Sequence, residues 1–291
     1  MTLSMVIFGT VAVFVRGLSL SPGEIALCRS AIAAVPIGLF LLFTKQRIGF
    51  DAWKREGLLL LLSGASLGIN WLLLFESYRY TTVSTATLCY YFAPVIVTVV
   101  SPILFHERLT KGQILCFLMS TAGLVLITGF SDLGADGKGI AFGLGAACFY
   151  ALTVLLNKGI KGVAGLPKTF LQLLSAGLVL LVYVICTGGF HLQTLDGKGI
   201  LMLLIVGLLH TGVAYCLYFT AIAGLDGQQI AIMSYIDPLV AVLISVFFLS
   251  EPISIWQIAG GLLILVFSFL NEWLSIRRVS PQEKCRNANE A

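Results

Sequence analysis

The sequence predicts an all-α integral membrane protein with ten transmembrane helices, arranged as two inverted five-helix repeats. Three observations lead to this fold class: the composition, the spacing of the apolar runs and a match between the two halves of the chain. Of the 291 residues, 58% are hydrophobic and only 11% are charged. A soluble domain carries about 25% charged residues. A surface with so few charges is suited to lipid rather than to water.

Ten apolar runs are separated by short polar or Gly- and Pro-rich segments. A helix needs about 20 apolar residues to cross the hydrocarbon core of a bilayer. The first run is short for a crossing, which leaves open a start upstream of Met1. The predicted spans are residues 2–16, 22–43, 57–77, 82–105, 111–130, 137–157, 168–187, 198–219, 227–249 and 254–275. These spans leave short loops and a polar tail, which is predicted to be disordered.

Several other classes of protein are excluded by the charges and cysteines. The net charge of +4 comes from scattered Lys and Arg without an aromatic-basic groove motif, so nucleic acid is not a predicted partner. The seven cysteines form no C-x-x-C pair and have no Cys/His ligand spacing. We therefore predict no metal and no cofactor. No P-loop is present, which argues against ATP as the energy source of this chain.

The basic residues predict the orientation, because Lys and Arg accumulate in cytoplasmic loops. With the N-terminus inside, the inner loops and the tail hold 13 basic residues and the outer side holds 5. Both termini are therefore predicted to be cytoplasmic in a multi-pass protein. Assignment to the cell (inner) membrane assumes a prokaryotic source.

A shift of 144 residues brings the two halves of the chain into partial register. Each half holds five spans. Because five is an odd number, the second half enters the membrane from the opposite side, as in many secondary transporters. The matched pairs are Tyr91 with Tyr235, Pro94 with Pro238, Ser101 with Ser245, Glu107 with Glu251, and Gln113 with Gln257. The predicted repeats are residues 1–130 and 137–275, followed by a cytoplasmic tail at 276–291.

Some matched residues have a structural explanation. Thr110 with Gln113 and Ser254 with Gln257 have the spacing of capping boxes, in which the hydroxyl and the glutamine side chain satisfy backbone N–H groups at a helix start. The glutamates that precede them are interpreted as helix-end anchors.

The matched prolines point to the middle of the membrane. A proline inside a helix donates no N–H and clashes with the carbonyl four residues back. In lipid such a defect is tolerated where protein, water or ligand satisfies the freed groups. Pro94 and Pro238 are thus either cavity-lining breaks or simple packing kinks.

These residues carry a family resemblance. The run Ser234-Tyr-Ile-Asp-Pro-Leu-Val-Ala-Val, followed by Leu249-Ser-Glu-Pro, resembles the second repeat of the drug/metabolite transporter superfamily, EamA branch. Tyr91-Phe-Ala-Pro94 with His106-Glu-Arg-Leu-Thr-x-x-Gln113 resembles the first repeat, and Leu20-Ser-Pro-Gly-Glu24 to Arg29 the opening of the second helix. The resemblance implies a ten-helix transporter with a central cavity that exports amino acids, related metabolites or drugs.

Ionisable and amphipathic residues inside the spans are the candidate site. An intramembrane charge is costly, so Asp237 beside Pro238 is a candidate for proton coupling, with helix packing as the alternative. Arg29 is a candidate for a substrate carboxylate or for Asp237, with interfacial anchoring as the alternative. The remaining candidates for substrate binding or coupling are amphipathic side chains within spans: Tyr90, Tyr91, Tyr235, Asn70, Trp71 and Tyr215.

The resulting hypothesis is a secondary transporter, most simply an exporter of amino acids or related small metabolites, working by alternating access. A drug or organic-cation exporter of the same fold is the alternative. A channel and an intramembrane enzyme are weaker alternatives, and no H-E-x-x-H or G-x-S-x-G motif supports the latter. The predicted partners are a small-molecule substrate, the lipid bilayer and protons, with the chain a monomer or weak dimer.

The orientation gives a direct prediction. A cysteine introduced into the 106–111 loop should react with an impermeant thiol reagent only from the cytoplasmic side, because that loop carries basic residues. Labelling from the outside of intact cells would reverse the predicted topology.

Overall fold

The computed structural model describes residues 1–45, 50–105, 110–129, 133–222, 224–225 and 227–289, and every element of secondary structure within them is helical. The elements are α1 (Thr2–Gly9), α2 (Val11–Arg16), α3 (Pro22–Phe43), α4 (Phe50–Tyr80), α5 (Val83–Tyr90), α6 (Ala93–Phe105), α7 (Lys111–Gly129), α8 (Leu133–Gly159), α9 (Gly165–Thr187), a 3-10 turn (Leu192–Thr194), α10 (Gly197–Leu204), a π-helical segment (Ile205–Val213), α11 (Ala214–Ile222), α12 (Gly227–Ser234), α13 (Ile236–Phe247) and α14 (Ile255–Asn289).

The lengths of these helices suit a bilayer. Seven stretches of 20 to 26 residues in the described part of the chain are long and apolar enough to cross it. They are Pro22–Phe43, Arg55–Tyr80, Val83–Leu104, Asp136–Gly159, Gly165–Thr187, Gly197–Ile222 and Ile255–Leu274. Three shorter apolar helices, Thr2–Arg16, Lys111–Ile127 and Ile232–Phe247, lie where the first, fifth and ninth spans were predicted. The prediction of an all-helical membrane protein is confirmed.

Two boundaries differ from the prediction. α8 begins at Leu133, inside the predicted polar break, and Asp136 in its first turn is well placed against the helix dipole. α14 continues to Asn289, so the prediction of a disordered tail is wrong as far as that residue. The tail is rich in Gln, Glu, Lys and Arg, which favour helix, and extending an existing helix costs far less than starting one.

α4 connects the two ends of the bundle. Its Glu56 accepts hydrogen bonds from the backbone N–H groups of Lys161 (3.1 Å) and Gly162 (2.9 Å). Its Tyr78 carbonyl accepts hydrogen bonds from Arg16. The 22 residues between Glu56 and Tyr78 rise about 33 Å along the helix axis, close to the thickness of a hydrocarbon core. We call the two ends of the bundle the Glu56 end and the Arg16 end.

The helices form one packed bundle, in which α4 packs most extensively against α8. α1 packs against α13, and α8 packs against α5 and α6. α3 packs against the π-helical segment, and α9 packs against α4. α7 packs against α14. The main apolar core lies between α3, α4 and α9 and includes the buried side chains of Ile37, Phe75 and Leu173.

Glycine allows α7 and α14 to approach closely. A Cβ added at Gly123 would lie 2.6 Å from the carbonyl oxygen of Gly260, and one added at Gly260 would also collide with backbone of α7. Small residues at such crossings let helix backbones pack directly in lipid.

We expect Gly260→Ala to lower the free energy of unfolding by about 1–3 kcal/mol, because the added methyl group meets backbone that cannot rotate away. Thermal melting of the detergent-purified chain would measure this. Gly137→Ala is the control, since nothing lies within 4 Å of its added Cβ. An unchanged melting temperature for Gly260→Ala would contradict the close packing of α7 on α14.

Candidate functional site

Two helix breaks form the framework of the candidate site. α5 gives way to α6 at Tyr91 and Phe92, and α12 gives way to α13 at Tyr235. Pro94 is the second residue of α6 and Pro238 the third residue of α13. At these positions the missing N–H of proline breaks no helical hydrogen bond. Each proline therefore accompanies a short interruption, of two residues before α6 and of one residue before α13, within a span that continues past it.

The two breaks bring a cluster of tyrosines together. The ring of Tyr90 lies 5.6 Å from that of Tyr91 and 5.3 Å from that of Tyr150. The Tyr91 ring lies 6.3 Å from that of Tyr235, across the interface between the two halves of the chain. We call Tyr90, Tyr91, Tyr150 and Tyr235 the tyrosine cluster. All four residues are at least partly exposed.

Asp237 joins this cluster through its carboxylate. Its Oδ2 accepts a hydrogen bond of 2.7 Å from the Tyr91 hydroxyl. The break at Tyr235 places Asp237 in the first turn of α13, where the helix dipole favours a negative charge. The side chain is half-buried. The break thus explains how a carboxylate is tolerated within an apolar span.

Arg29 is a buried cation held by α4 and the π-helical segment. Its guanidinium carbon lies 4.3 Å from the centre of the Trp71 ring and 5.7 Å from that of Phe75. Its Nε donates a hydrogen bond of 2.7 Å to Thr211 Oγ1. Arg29 and Asp237 are within electrostatic reach of each other but do not form a salt bridge. A cation and an anion separated in this way can each meet a different group of one ligand.

The π-helical segment positions Thr211 against Arg29. Added Cβ atoms at Gly207 and Gly212 would lie 2.5 Å from Ile32 and 2.6 Å from Pro36 of α3, so the segment packs directly on that helix. The hydroxyl of Thr211 donates to the carbonyl of Val206, five residues earlier. π-Helical turns occur frequently at functional sites. The sequence offered no signal for this one.

The other predicted site residues occupy several positions. Trp71 stacks on Arg29, as described above. Asn70 is buried, and its Nδ2 donates to the carbonyl of Ala146 at 2.7 Å, so it ties α4 to α8. The ring of Tyr215 packs 5.3 Å from that of Phe8 and 6.2 Å from that of Phe219. The structure thus brings the tyrosines, Asp237 and Arg29 with Trp71 into one region, while Asn70 holds helices together.

Sequence reasoning missed Glu272. This half-buried carboxylate of α14 faces the Tyr235 hydroxyl, which is itself buried and has no hydrogen bond of ordinary length. The signal was present, because Glu272 lies within the apolar run 254–275 and an ionisable residue in a span is a functional candidate by default.

The predicted capping residues make the expected hydrogen bonds at the helix starts. Thr110 N donates to Gln113 Oε1 (3.0 Å) and Gln113 N to Thr110 Oγ1 (3.2 Å). Ser254 N donates to Gln257 Oε1 (2.8 Å) and Gln257 N to Ser254 Oγ (3.1 Å). Glu107, matched to Glu251, lies outside the described residues.

Glu251 does more than anchor its own helix. It forms an ion pair with Arg16 and accepts hydrogen bonds from the hydroxyl of Ser245 and the backbone N–H of Val83. Arg16 also donates to the carbonyls of Tyr78 (2.8 Å) and Thr81 (2.6 Å). This network, which we call the Arg16 lock, joins the ends of α2, α4 and α13 to the start of α5.

At the Glu56 end, a basic residue and a serine also join two helices. Lys158, at the end of α8, donates a hydrogen bond of 2.6 Å to Ser101 of α6.

Burial differs between the two sides of the tyrosine cluster. Every residue of α5 from Val83 to Cys89 is buried, as are Ala241 and Ser245 of α13. Partial exposure begins at Tyr90 and continues through the cluster. The residues between the tyrosine cluster and the Arg16 end are thus packed inside the protein along α5.

Among the side chains that the structure describes, no three His, Cys, Asp or Glu lie together as a metal site.

Comparison with known proteins identifies the relatives of this fold. The model of the EamA-like transporter family matches residues 1–129 and 137–272. The chain is 31% identical over 273 residues to the uncharacterized transporter YxxF of Bacillus subtilis, covering 92% of this chain and 86% of that protein. It is 26% identical to protein PecM of Dickeya dadantii, covering 86% of this chain and 83% of PecM.

A solved crystal structure has the same fold. It superimposes with a TM-score of 0.66 at 17% sequence identity, over 93% of this chain and 95% of the other. Of the two relatives, the name of YxxF describes a transporter.

Proposed function

Since the chain belongs to the EamA-like transporter family, we propose that it is a secondary transporter that exports amino acids or related small metabolites by alternating access. The observations that carry this proposal are the placement of Arg29 and Asp237 beside two helix breaks and the burial of α5 from Val83 to Cys89, which would close the site toward the Arg16 end. Broken helices at the level of a substrate site are a construction shared by many secondary transporters.

We propose further that the chain crosses the membrane ten times as two inverted repeats, residues 1–130 and 137–275. The packing supports this. If span one corresponds to span six and so on, the contact of α1 with α13 corresponds to that of α8 with α5 and α6. The contact of α3 with the π-helical segment likewise corresponds to that of α9 with α4, and α7 with α14 maps onto itself. The helix breaks at Tyr91 and Tyr235 also coincide under the 144-residue shift.

The positive-inside rule then orients the bundle. With both termini in the cytoplasm of a cell whose inner membrane holds the protein, the Arg16 end is extracellular and the Glu56 end cytoplasmic. A site sealed from outside is ready to receive a substrate from the cytoplasm, as export requires.

Each charged residue of the site has a proposed role. Arg29, whose guanidinium is aligned by Thr211 and Trp71, would bind the carboxylate of the substrate. Asp237, bonded to Tyr91, would take up and release the coupling proton. A partly apolar lining of tyrosines with a few fixed polar groups suits small molecules with both kinds of surface.

Counterflow in proteoliposomes tests the carrier and its coupling together. Vesicles loaded with a mixed pool of unlabelled amino acids should transiently accumulate one labelled amino acid from outside. Asp237→Asn should keep this exchange but lose the response to a proton gradient, because an amide cannot bind the proton. Glu76→Gln is the matched control, since among the described residues Glu76 pairs with Arg79 alone, at 3.5 Å near the bundle surface.

The two parts of this prediction fail separately. Leak without accumulation would indicate a pore instead of a carrier. A normal proton-gradient response in Asp237→Asn would remove Asp237 from the coupling step.

We propose that the Arg16 lock is the extracellular gate. It joins four chain segments through one ion pair and several hydrogen bonds, and Glu251 is largely buried within it. A carboxylate left buried without its cation is strongly unfavourable. Opening toward the outside must therefore separate or hydrate this pair.

Hydrogen–deuterium exchange can measure the gate directly. Arg16→Ala should speed exchange of the amides of residues 82–86 by about tenfold, because Val83 and Ser84 donate to Glu251 and Ser245 in the closed gate. Exchange at Lys161 and Gly162, at the other end, should not change. Arg79→Ala is the control at the same end. Equal exchange in the two variants would show that Arg16 does not hold the gate closed.

A further inference from the structure

Glu272 stands in an aromatic environment that the proposed roles of Arg29 and Asp237 leave unused. The Tyr235 hydroxyl faces its carboxylate, and Tyr218 and Tyr150 lie within its electrostatic reach. Phe269, three residues earlier on the same face of α14, packs edge-on against Tyr235 at 5.5 Å. One carboxylate thus lies beside the Tyr235 and Phe269 pair, with tyrosines of α8 and α11 in the same region.

The position of Glu272 is fixed by its neighbour. Asn271 is buried and donates a hydrogen bond to Thr98 of α6, and the Thr98 hydroxyl in turn donates to the carbonyl of Pro94 at 2.9 Å. This chain connects α14 to the first helix break. With Asn271 anchored in this way, the contact of Glu272 with Tyr235 places its carboxylate at the edge of the tyrosine cluster.

The charge of this region is unbalanced. In the part of the chain whose side chains are described, no lysine or arginine acts on the Glu272 carboxylate. Its one polar contact is Tyr235, whose buried hydroxyl lacks an ordinary hydrogen bond. A carboxylate in an aromatic region with no lysine or arginine acting on it has the chemistry that recognises an organic cation.

We infer that Glu272, with Tyr235, Tyr218, Tyr150 and Phe269, forms a binding site for the ammonium group of the transported molecule. The carboxylate supplies the opposite charge, and the rings supply cation–π contacts. This inference rests on the proposed function, since it assumes that the tyrosine cluster lines the transport path. It assigns opposite ends of a substrate to Glu272 and Arg29 and leaves Asp237 for the proton.

A series of four compounds with one scaffold can test the site. The probes are radiolabelled phenethylamine, and as competitors its trimethylammonium analogue, phenethyl alcohol and hydrocinnamate, with the purified full-length chain in nanodiscs. We expect both cations to compete about equally, because cation–π contacts do not require N–H groups. The alcohol should compete about tenfold more weakly or not at all.

Variants connect the binding to the named residues. Glu272→Gln should weaken phenethylamine binding by about tenfold or more, and Tyr235→Leu should do the same. Tyr235→Phe keeps the ring and should stay within about threefold of wild type. Glu76→Gln is the matched acidic control. Size-exclusion profiles and melting temperatures establish that each variant is folded.

Several results would overturn the site. They are the absence of amine binding to the wild type, equal binding of phenethyl alcohol, and unchanged binding in Glu272→Gln. If the trimethylammonium analogue alone failed to compete, the site would be an ordinary hydrogen-bonded ion pair, and the cation–π contacts would be rejected. Counterflow of any substrate without amine binding would support the proposed transporter and reject the ammonium site. Amine binding through Glu272 without counterflow would support the ammonium site and reject the proposed transporter.

Discussion

The structure depends on one constraint: a polar group inside a membrane must be satisfied by the protein itself or by what the protein binds. Both helix breaks lie where the halves of the chain meet, with the tyrosine cluster between them. The second break places Asp237 in the first turn of α13, where the helix dipole stabilises its negative charge. The defects that a lipid-facing helix could not tolerate are thereby concentrated in the one region where a ligand would enter.

The membrane helices could be predicted from the sequence alone, because their length and apolar composition identify them. Pro94 and Pro238 indicated the two breaks, because proline is unfavourable in a helix interior but tolerated in the first turn of a new helix. The capping boxes at Thr110 and Ser254 were also evident, because their hydrogen bonds join residues three apart in sequence. Such local rules act within a turn or two, which is the range over which one sequence can be interpreted directly.

What could not be predicted requires knowing which helices touch. Arg16 and Glu251 are 235 residues apart, and nothing in either segment identifies the other as its partner. Thr211 reaches Arg29 only because the chain is π-helical there and packs on α3 through Gly207 and Gly212. Glu272 is a different case. Its place in an apolar span was a usable signal, but only the fold shows that Tyr235, Tyr218 and Phe269 lie in the same region.

The proposed repeat also accounts for the contacts at the two ends of the bundle. The first and sixth spans end in a base, Arg16 and Lys158, and the matched serines are Ser245 and Ser101. Arg16 reaches Ser245 through their shared partner Glu251, while Lys158 binds Ser101 directly, on opposite faces. A carrier needs one gate on each side that close in turn. A duplicated and inverted sequence supplies both from a single pattern, so divergence between the copies can set which side is closed at rest. Here the buried residues of α5 lie behind the Arg16 lock, so in the proposed cycle the Arg16 end is the closed one.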